Sequence, residues 1–358
     1  PINVTNFIKP VHFSILLYTV TGLDFDTVDD PIWTSFYKAQ DGATVGLTQK
    51  SAPILLFGTE PPKSDGMIDY NDDTQIFSSL YKMCEWTEEF IDKHNKIILE
   101  NKNAFFTRLF RDNFNNDSFD EPKNKNYTKN ELMFDIVSIF NAAIDTTNCT
   151  IHSLLINICR YQDIQQKMYN ELAAIFTNGE YDAKILQDEL RKNENLNDFQ
   201  AFIHEILRLF LPAYLMFPRV AKKDIKVNDY CIPKGYCFAI NAIGVHYNDN
   251  YWGDKGNNIG PDQVYLNNFK DDNGRFKKTN NNLVTFGAGP RMCPGWQFAM
   301  KELYILMAHF IWRYKMVFDP KDKNVKGKKL EDIEIKAKIT DNQFVLPDPS
   351  IKVLFIKR

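Results

Sequence analysis

Residues 286–295 read FGAGPRMCPG, and the chemistry written into that loop organises the reading of the whole chain. Directly after it, WQFAMKELYILMAHF places Trp296, Ala299, Met300, Leu303, Met307 and Phe310 at helical spacing, so Cys293 lies at a predicted helix N-terminus. Unpaired backbone N–H groups and the positive end of a helix dipole favour an anionic sulfur and temper its donation to a metal. Gly289 and Gly295 remove side chains where a flat cofactor needs close approach, and Arg291 offers a fixed cation for a carboxylate. A lone cysteine is more often a small buried hydrophobe. With these neighbours, Cys293 reads instead as the metal ligand in a socket for an iron porphyrin.

Upstream, Thr128-x-x-Glu131 is a capping box ahead of ELMFDIVSIFNAAIDTTNCTIHSLLINICR. Apolar residues fall all round this segment, which predicts a buried helix roughly 45 Å long at 1.5 Å per residue. Within it, Ala142 and Ala143 thin the helix, and Asp145 and Thr146 place an acid beside a hydroxyl. A mid-helix Thr commonly bonds back to its own helix; a buried acid needs a partner or a role. Further on, Phe199, Phe202, Ile203, Ile206, Leu207 and Phe210 share one helical face, with Glu205 and Arg208 three apart on the other.

The set Phe286, Gly289, Arg291, Cys293 and Gly295 fills F-x-x-G-x-R-x-C-x-G, which resembles the heme-binding loop of the cytochrome P-450 family, in its eukaryotic microsomal type. Residues 142–147, AAIDTT, resemble that family's oxygen-activating (A/G)-G-x-(D/E)-T-T, with Ala143 in place of glycine. Glu205-x-x-Arg208 falls between the two, as in the family, where the pair is a buried structural ion network. Gly260-Pro-Asp-Gln-Val264 stands where the family has P-E-R-F, so Gln263 replaces the expected arginine and the resemblance implies a weakened network. Arg219 resembles a second propionate partner. Ala213, Tyr214, Leu215, Met216 and Phe217 would form one wall of a substrate pocket.

The resemblance implies a mainly α fold with a small β portion, the cytochrome P-450 fold, as a single domain over residues 1–358. It implies heme as cofactor, Cys293 as the iron ligand, and Asp145 and Thr146 as catalytic groups delivering protons to oxygen. The activity implied is a monooxygenase inserting one atom of dioxygen into an apolar organic substrate, with electrons from an NADPH-dependent reductase. Sterols, fatty acids and xenobiotics are all open as substrates. Two alternatives stand beside it: a heme-thiolate isomerase or dehydratase working without external electrons, and a non-enzymatic, heme-poor truncated protein. The segment VTGLDFDTVDDP, residues 20–31, resembles the middle of the family's helical region, and the chain opens at Pro1 without Met. A fragment lacking its N-terminal anchor, first strands and first helices is therefore expected, its full-length form on the cytosolic face of the endoplasmic reticulum membrane.

Composition agrees. The 358 residues carry net charge −3, which argues against nucleic acid as a partner, and 28 Phe suit a large apolar interior. Six cysteines without a C-x-x-C pair suit a reduced compartment. No apolar stretch is long enough to span a bilayer, and no flavin or nicotinamide motif is present. Helices are expected up to about residue 120, with a stop at Gly22, a loop-rich stretch over 41–75, and helix again over 85–109. After Pro212, alternation and the turns Asn228-Asp229 and Lys234-Gly235 predict a small sheet. Residues 270–282 read as a solvated loop, and the tail as a final hairpin turning near residues 340–343.

Overall fold

The computed structural model describes residues 2–23, 30–45, 76–115, 118–119, 121–123, 127–216, 218–277, 280–333, 335, 338–339, 345–346 and 350–358. The loop expected over 41–75 starts too early, since residues 41–45 continue the helix Pro31–Val45; residues 46–75 and the turn over 340–343 lie outside the described residues. Two compact units are present, residues 6–145 and residues 1–5 with 146–358.

The first unit is helical: α1 (Val4–Thr21), α2 (Pro31–Val45), α3 (Ile76–Glu100), α4 (Phe105–Asn113) and the opening of α5 (Lys129–Arg160). Gly22 ends α1 at φ +77°, with its N–H on Tyr18 C=O at 2.7 Å, the left-handed stop that glycine permits. The helix expected over 85–109 is two helices, broken at residues 101–104 by a turn in which Asn103 N–H bonds Asn101 Oδ1. An aromatic core holds the unit: Phe13 stacks on Phe36 at 4.3 Å between centroids, and Trp86 meets Phe36 edge-on at 4.9 Å. At the start of α5 the Glu131 carboxylate accepts the N–H of Thr128 at 2.7 Å, one half of the expected capping box.

The second unit continues α5 and adds α6 (Gln162–Ile175), α7 (Ala183–Lys192), α8 (Asn197–Leu209), α9 (Ala242–His246) and α10 (Trp296–Arg313). Helix α8 is pinned at its N-terminus by Glu171 of α6, whose two carboxylate oxygens accept the N–H groups of Asp198 and Phe199 at 2.8 and 2.9 Å. Burial pushes that carboxyl up to about 7 against the pull of the two bonds. Small antiparallel sheets complete the unit. Strand β7 (Lys352–Lys357) lies between β1 (Ile2–Asn3) and β6 (Tyr314–Phe318). Strands β2 (Arg219–Val220) and β5 (Cys237–Phe238) pair, as do β3 (Ile225–Val227) and β4 (Tyr230–Ile232). The β3–β4 turn uses Asn228 at φ +52°, one of the expected turn positions.

Two expectations need correction. Helix α5 is buried throughout residues 147–159, but Phe134, Asp135, Ser138 and Ala142 are exposed, a stripe recurring every three or four residues along one side. Apolar residues all round a helix therefore did not mean burial all round. Nor is the polar stretch 270–282 simply solvated: Phe276 is buried with Ala201, Trp252 and Phe269, and its N–H and C=O are taken by Asn197 and Asn193.

Candidate active site

The cysteine loop is built from tight turns. Gly287 N–H donates to Val284 C=O at 2.8 Å, Met292 N–H to Gly289 C=O at 3.1 Å, and Cys293 N–H to Phe286 C=O at 2.8 Å. Gly287 and Gly289 sit at φ +78° and +70°, where a side chain would be strained. Gly295 has φ −86° and is the N-cap of α10, so its backbone would accept any residue. Residues 288–297 are exposed throughout, Arg291 and Cys293 among them, and Phe286 is half-buried. None of the six cysteines is in a disulfide.

Beneath the loop lies α8. Glu205 and Arg208 have no exposed side-chain surface, and they meet in a two-pronged pair, Nε to Oε2 at 2.8 Å and Nη2 to Oε1 at 2.7 Å. The remaining donors of Arg208 reach the backbone carbonyls of His246 at 2.7 Å, Pro261 at 2.6 Å and Gln263 at 3.2 Å. Glu205 Oε1 also accepts from Tyr265 N–H at 2.9 Å and Asn268 Nδ2 at 3.0 Å. Trp252 places its ring 5.0 Å from the guanidinium. Gln263 contributes only its backbone carbonyl, to Arg208; the donors that reach Glu205 besides Arg208 are the Tyr265 N–H and the Asn268 amide, so the pair is saturated without an arginine at 263. Thr285 bonds its hydroxyl to Leu207 C=O at 2.9 Å, fastening the loop's approach to α8.

Asp145 and Thr146 are adjacent in sequence and unlike in setting. Asp145 is buried, paired with Lys9 at 3.3 Å and held by Gln40 Nε2 at 3.4 Å. Thr146 is half-buried and lies one turn beyond exposed Ala142 on the open stripe of α5. Ala143 is half-buried, and its carbonyl accepts from His12 Nε2 at 3.2 Å. Lys9 supplies the partner that a buried acid requires. Along the candidate pocket wall, Ala213 is exposed and Tyr214, Leu215 and Met216 are half-buried; Met216 N–H bonds Ile240 C=O at 3.0 Å. Phe217 lies outside the described residues. Arg219 is half-buried in β2, with Nη1 3.4 Å from Pro218 C=O.

The sequence profile described as "Cytochrome P450" matches residues 1–355. The chain belongs to the cytochrome P450 family. It is similar to a steroid 17-alpha-hydroxylase/17,20 lyase of Squalus acanthias, 27% identical over 221 residues, 59% of this chain and 40% of that protein. It is also similar to cytochrome P450 71A18 of Arabidopsis thaliana, 26% identical over 291 residues, covering 78% of this chain and 55% of the relative. Cytochrome P450 2C4 of Oryctolagus cuniculus is 26% identical over 340 residues, 93% of this chain and 61% of its own length. The chain spans about half the length of the curated relatives it matches. The mainly helical architecture with small sheets agrees with the P450 fold.

Heme iron is the cofactor of P450 proteins, and the residues present fit it. A Cβ built on Gly289 or Gly295 meets nothing within 4 Å, so the space beside the loop is open to a flat group. Among the described residues no other cluster of His, Cys, Asp or Glu suits a metal, and no helix is long and apolar enough to cross a membrane.

Sequence reasoning missed three residues that shape the loop and its support, and one that partners Asp145 within the other unit. Gly287, inside the motif, carries one of its two positive φ angles. Thr285 and His246 tie the loop to α8, and Lys9 neutralises Asp145. The signals available were Gly287 itself, a glycine inside the motif, and Lys9, the one lysine or arginine of α1; Thr285 and His246 left none.

Proposed function

We propose that the full-length form of this chain is a heme-thiolate monooxygenase of the endoplasmic reticulum membrane, cytosolic face. It would place one oxygen atom of O2 into an apolar organic substrate with electrons from an NADPH-dependent reductase. The observation that carries the reading is the exposed Cys293 loop, shaped by two positive-φ glycines and seated on a fully buried Glu205–Arg208 pair.

Heme, when bound, supplies the oxygen-activating chemistry, and a thiolate ligand favours O–O cleavage by donating electron density. The chain's own residues do the rest. Cys293 provides the thiolate, stabilised by the N-terminus of α10. Arg291 and Arg219 offer cations to the heme carboxylates. Phe286 is half-buried and holds the Cys293 N–H with its carbonyl, and Ala142 and Ala143 leave room along α5. The hydroxyl of Thr146 hands a proton to oxygen at the open stripe, and Asp145 supplies protons from behind it. Leu215, Met216 and their neighbours 213, 214 and 217 line the substrate side.

The test is the absorption spectrum of the reduced, carbon-monoxide-bound full-length protein, which reports iron and thiolate together. Cys293→Ser should abolish the thiolate signature, whereas substituting any other cysteine should not. Thr146→Val should leave heme binding intact and lower product formed per reductant consumed, by up to the roughly 10²–10⁴-fold that acid–base groups contribute. An unchanged spectrum in Cys293→Ser removes the proposal. Turnover without reductase would favour the isomerase or dehydratase reading, and a purified protein without heme the non-enzymatic one.

A further inference from the structure

Three hydrogen bonds converge on His246, the last residue of α9. Its backbone carbonyl accepts from Arg208 Nη1 at 2.7 Å, and its ring Nδ1–H donates to the backbone carbonyl of that same Arg208 at 3.0 Å. Its other ring nitrogen, Nε2, accepts the N–H of Val284 at 2.9 Å. Chemistry fixes these directions: a carbonyl only accepts and an amide N–H only donates, so Nδ1 carries the proton and Nε2 is bare. His246 is thus neutral, in one tautomer, with no exposed surface and with Trp252 edge-on at 6.2 Å. Val284 lies two residues before Phe286, whose carbonyl accepts the Cys293 N–H at 2.8 Å. Hydrogen bonds, with the two-residue backbone step from Val284 to Phe286, therefore lead from the buried pair of α8 through the imidazole to the cysteine loop.

We propose that His246 is a positioning residue for the Cys293 thiolate, setting the height of the loop above the Glu205–Arg208 pair by bridging Arg208 C=O to Val284 N–H. Its consequence for ligation rests on the heme-thiolate reading. A ring that merely filled space could be replaced by phenylalanine. A bridge could not, since Phe offers neither the donor nor the acceptor and leaves two buried backbone groups unpaired. Glutamine restores one donor and one acceptor on a longer, more flexible chain. The charged group facing the imidazole is Arg208, itself neutralised by Glu205, and burial holds the ring's pKa down to about 4.

The experiment is amide hydrogen exchange, followed by mass spectrometry, on the full-length holoprotein and its His246→Phe and His246→Gln variants, alongside their carbon-monoxide spectra. In His246→Phe, peptides spanning residues 284–293 should exchange about tenfold faster or more, the weight of one lost buried hydrogen bond, while α8 stays protected. Part of the population should lose the thiolate signature, and His246→Gln should recover some of both. Unchanged exchange over 284–293, or faster exchange with an intact thiolate signature, overturns the proposal. Should His246→Phe not fold, the wild type still decides: as acid protonates the ring, exchange at Val284 should accelerate with the same midpoint as the His246 NMR titration, and independent midpoints overturn it. Faster exchange in His246→Phe together with an unchanged spectrum in Cys293→Ser would leave the bridge standing and sink only the heme-thiolate reading.

Discussion

The cysteine loop and the α8 pair beneath it are joined by hydrogen bonds, yet they solve opposite physical problems. Residues 288–297 expose their side chains and hold their shape through backbone turns and two positive-φ glycines. Glu205 and Arg208 expose nothing, and all five N–H donors of the guanidinium are taken. Reactivity is thus displayed on one stretch of chain, and rigidity is stored in another that contributes no reacting atom. If that division is real, substitutions in α8 should damage stability first, and substitutions in the loop should damage ligation first.

The sharpest way to break the contrast is Glu205→Ala. Arg208 would be left charged and buried without its partner, so chemical denaturation should show a loss of about 3–5 kcal/mol, with loss of heme-bound protein. A loss well under 1 kcal/mol would place the pair with ordinary surface salt bridges and end the comparison.

Acid tests the bridge between the two regions. His246 titrates near 4 in the fold against 6.5 when unfolded, because burial disfavours its charged form. Its contribution is fully present above pH 6.5. As pH falls towards 4 the unfolded chain binds the proton and the fold does not, so stability declines, by about 3 kcal/mol in all. His246→Gln should remove that component from the pH profile of unfolding; an unaltered slope between pH 6.5 and 4 would contradict it.

Within the loop, effects on stability should be smaller. Gly287→Ala meets only ordinary contact, with Met292 Cα at 3.7 Å, so the expected loss of about 1–2 kcal/mol is backbone strain alone. Gly295→Ala, at negative φ with nothing within 4 Å, is its control. Smallest of all, Cys293→Ser should shift the unfolding free energy of heme-free protein by no more than about 0.5 kcal/mol, because the side chain is exposed. That same substitution is the one expected to erase the thiolate spectrum.

What the sequence disclosed follows the same division. The cysteine loop depends on residue type, so glycines, arginine and cysteine at fixed spacing announced it, and helical periodicity located α8 and α10 within a few residues. The saturation of Arg208 rests on the carbonyls of residues 246, 261 and 263, and a carbonyl leaves no mark in the sequence because every residue has one. His246 was hidden for a related reason: its importance comes from two backbone partners far along the chain. Asp145 and Thr146 read as a unit because they are neighbours, but a step of about 100° round α5 gives the acid to Lys9 and Gln40 and leaves the hydroxyl on the open stripe. Phe276 sat in a polar stretch whose composition masked a single buried ring.

The carbonyl of Gln263 has a consequence for how this chain can change over generations. Where a side chain completes a network, most mutations at that position are defects. Here the main chain completes it, and substitution at 263 keeps the acceptor whichever amino acid arrives, provided the local path of the backbone survives. As far as that acceptor is concerned, the position is buffered against mutation.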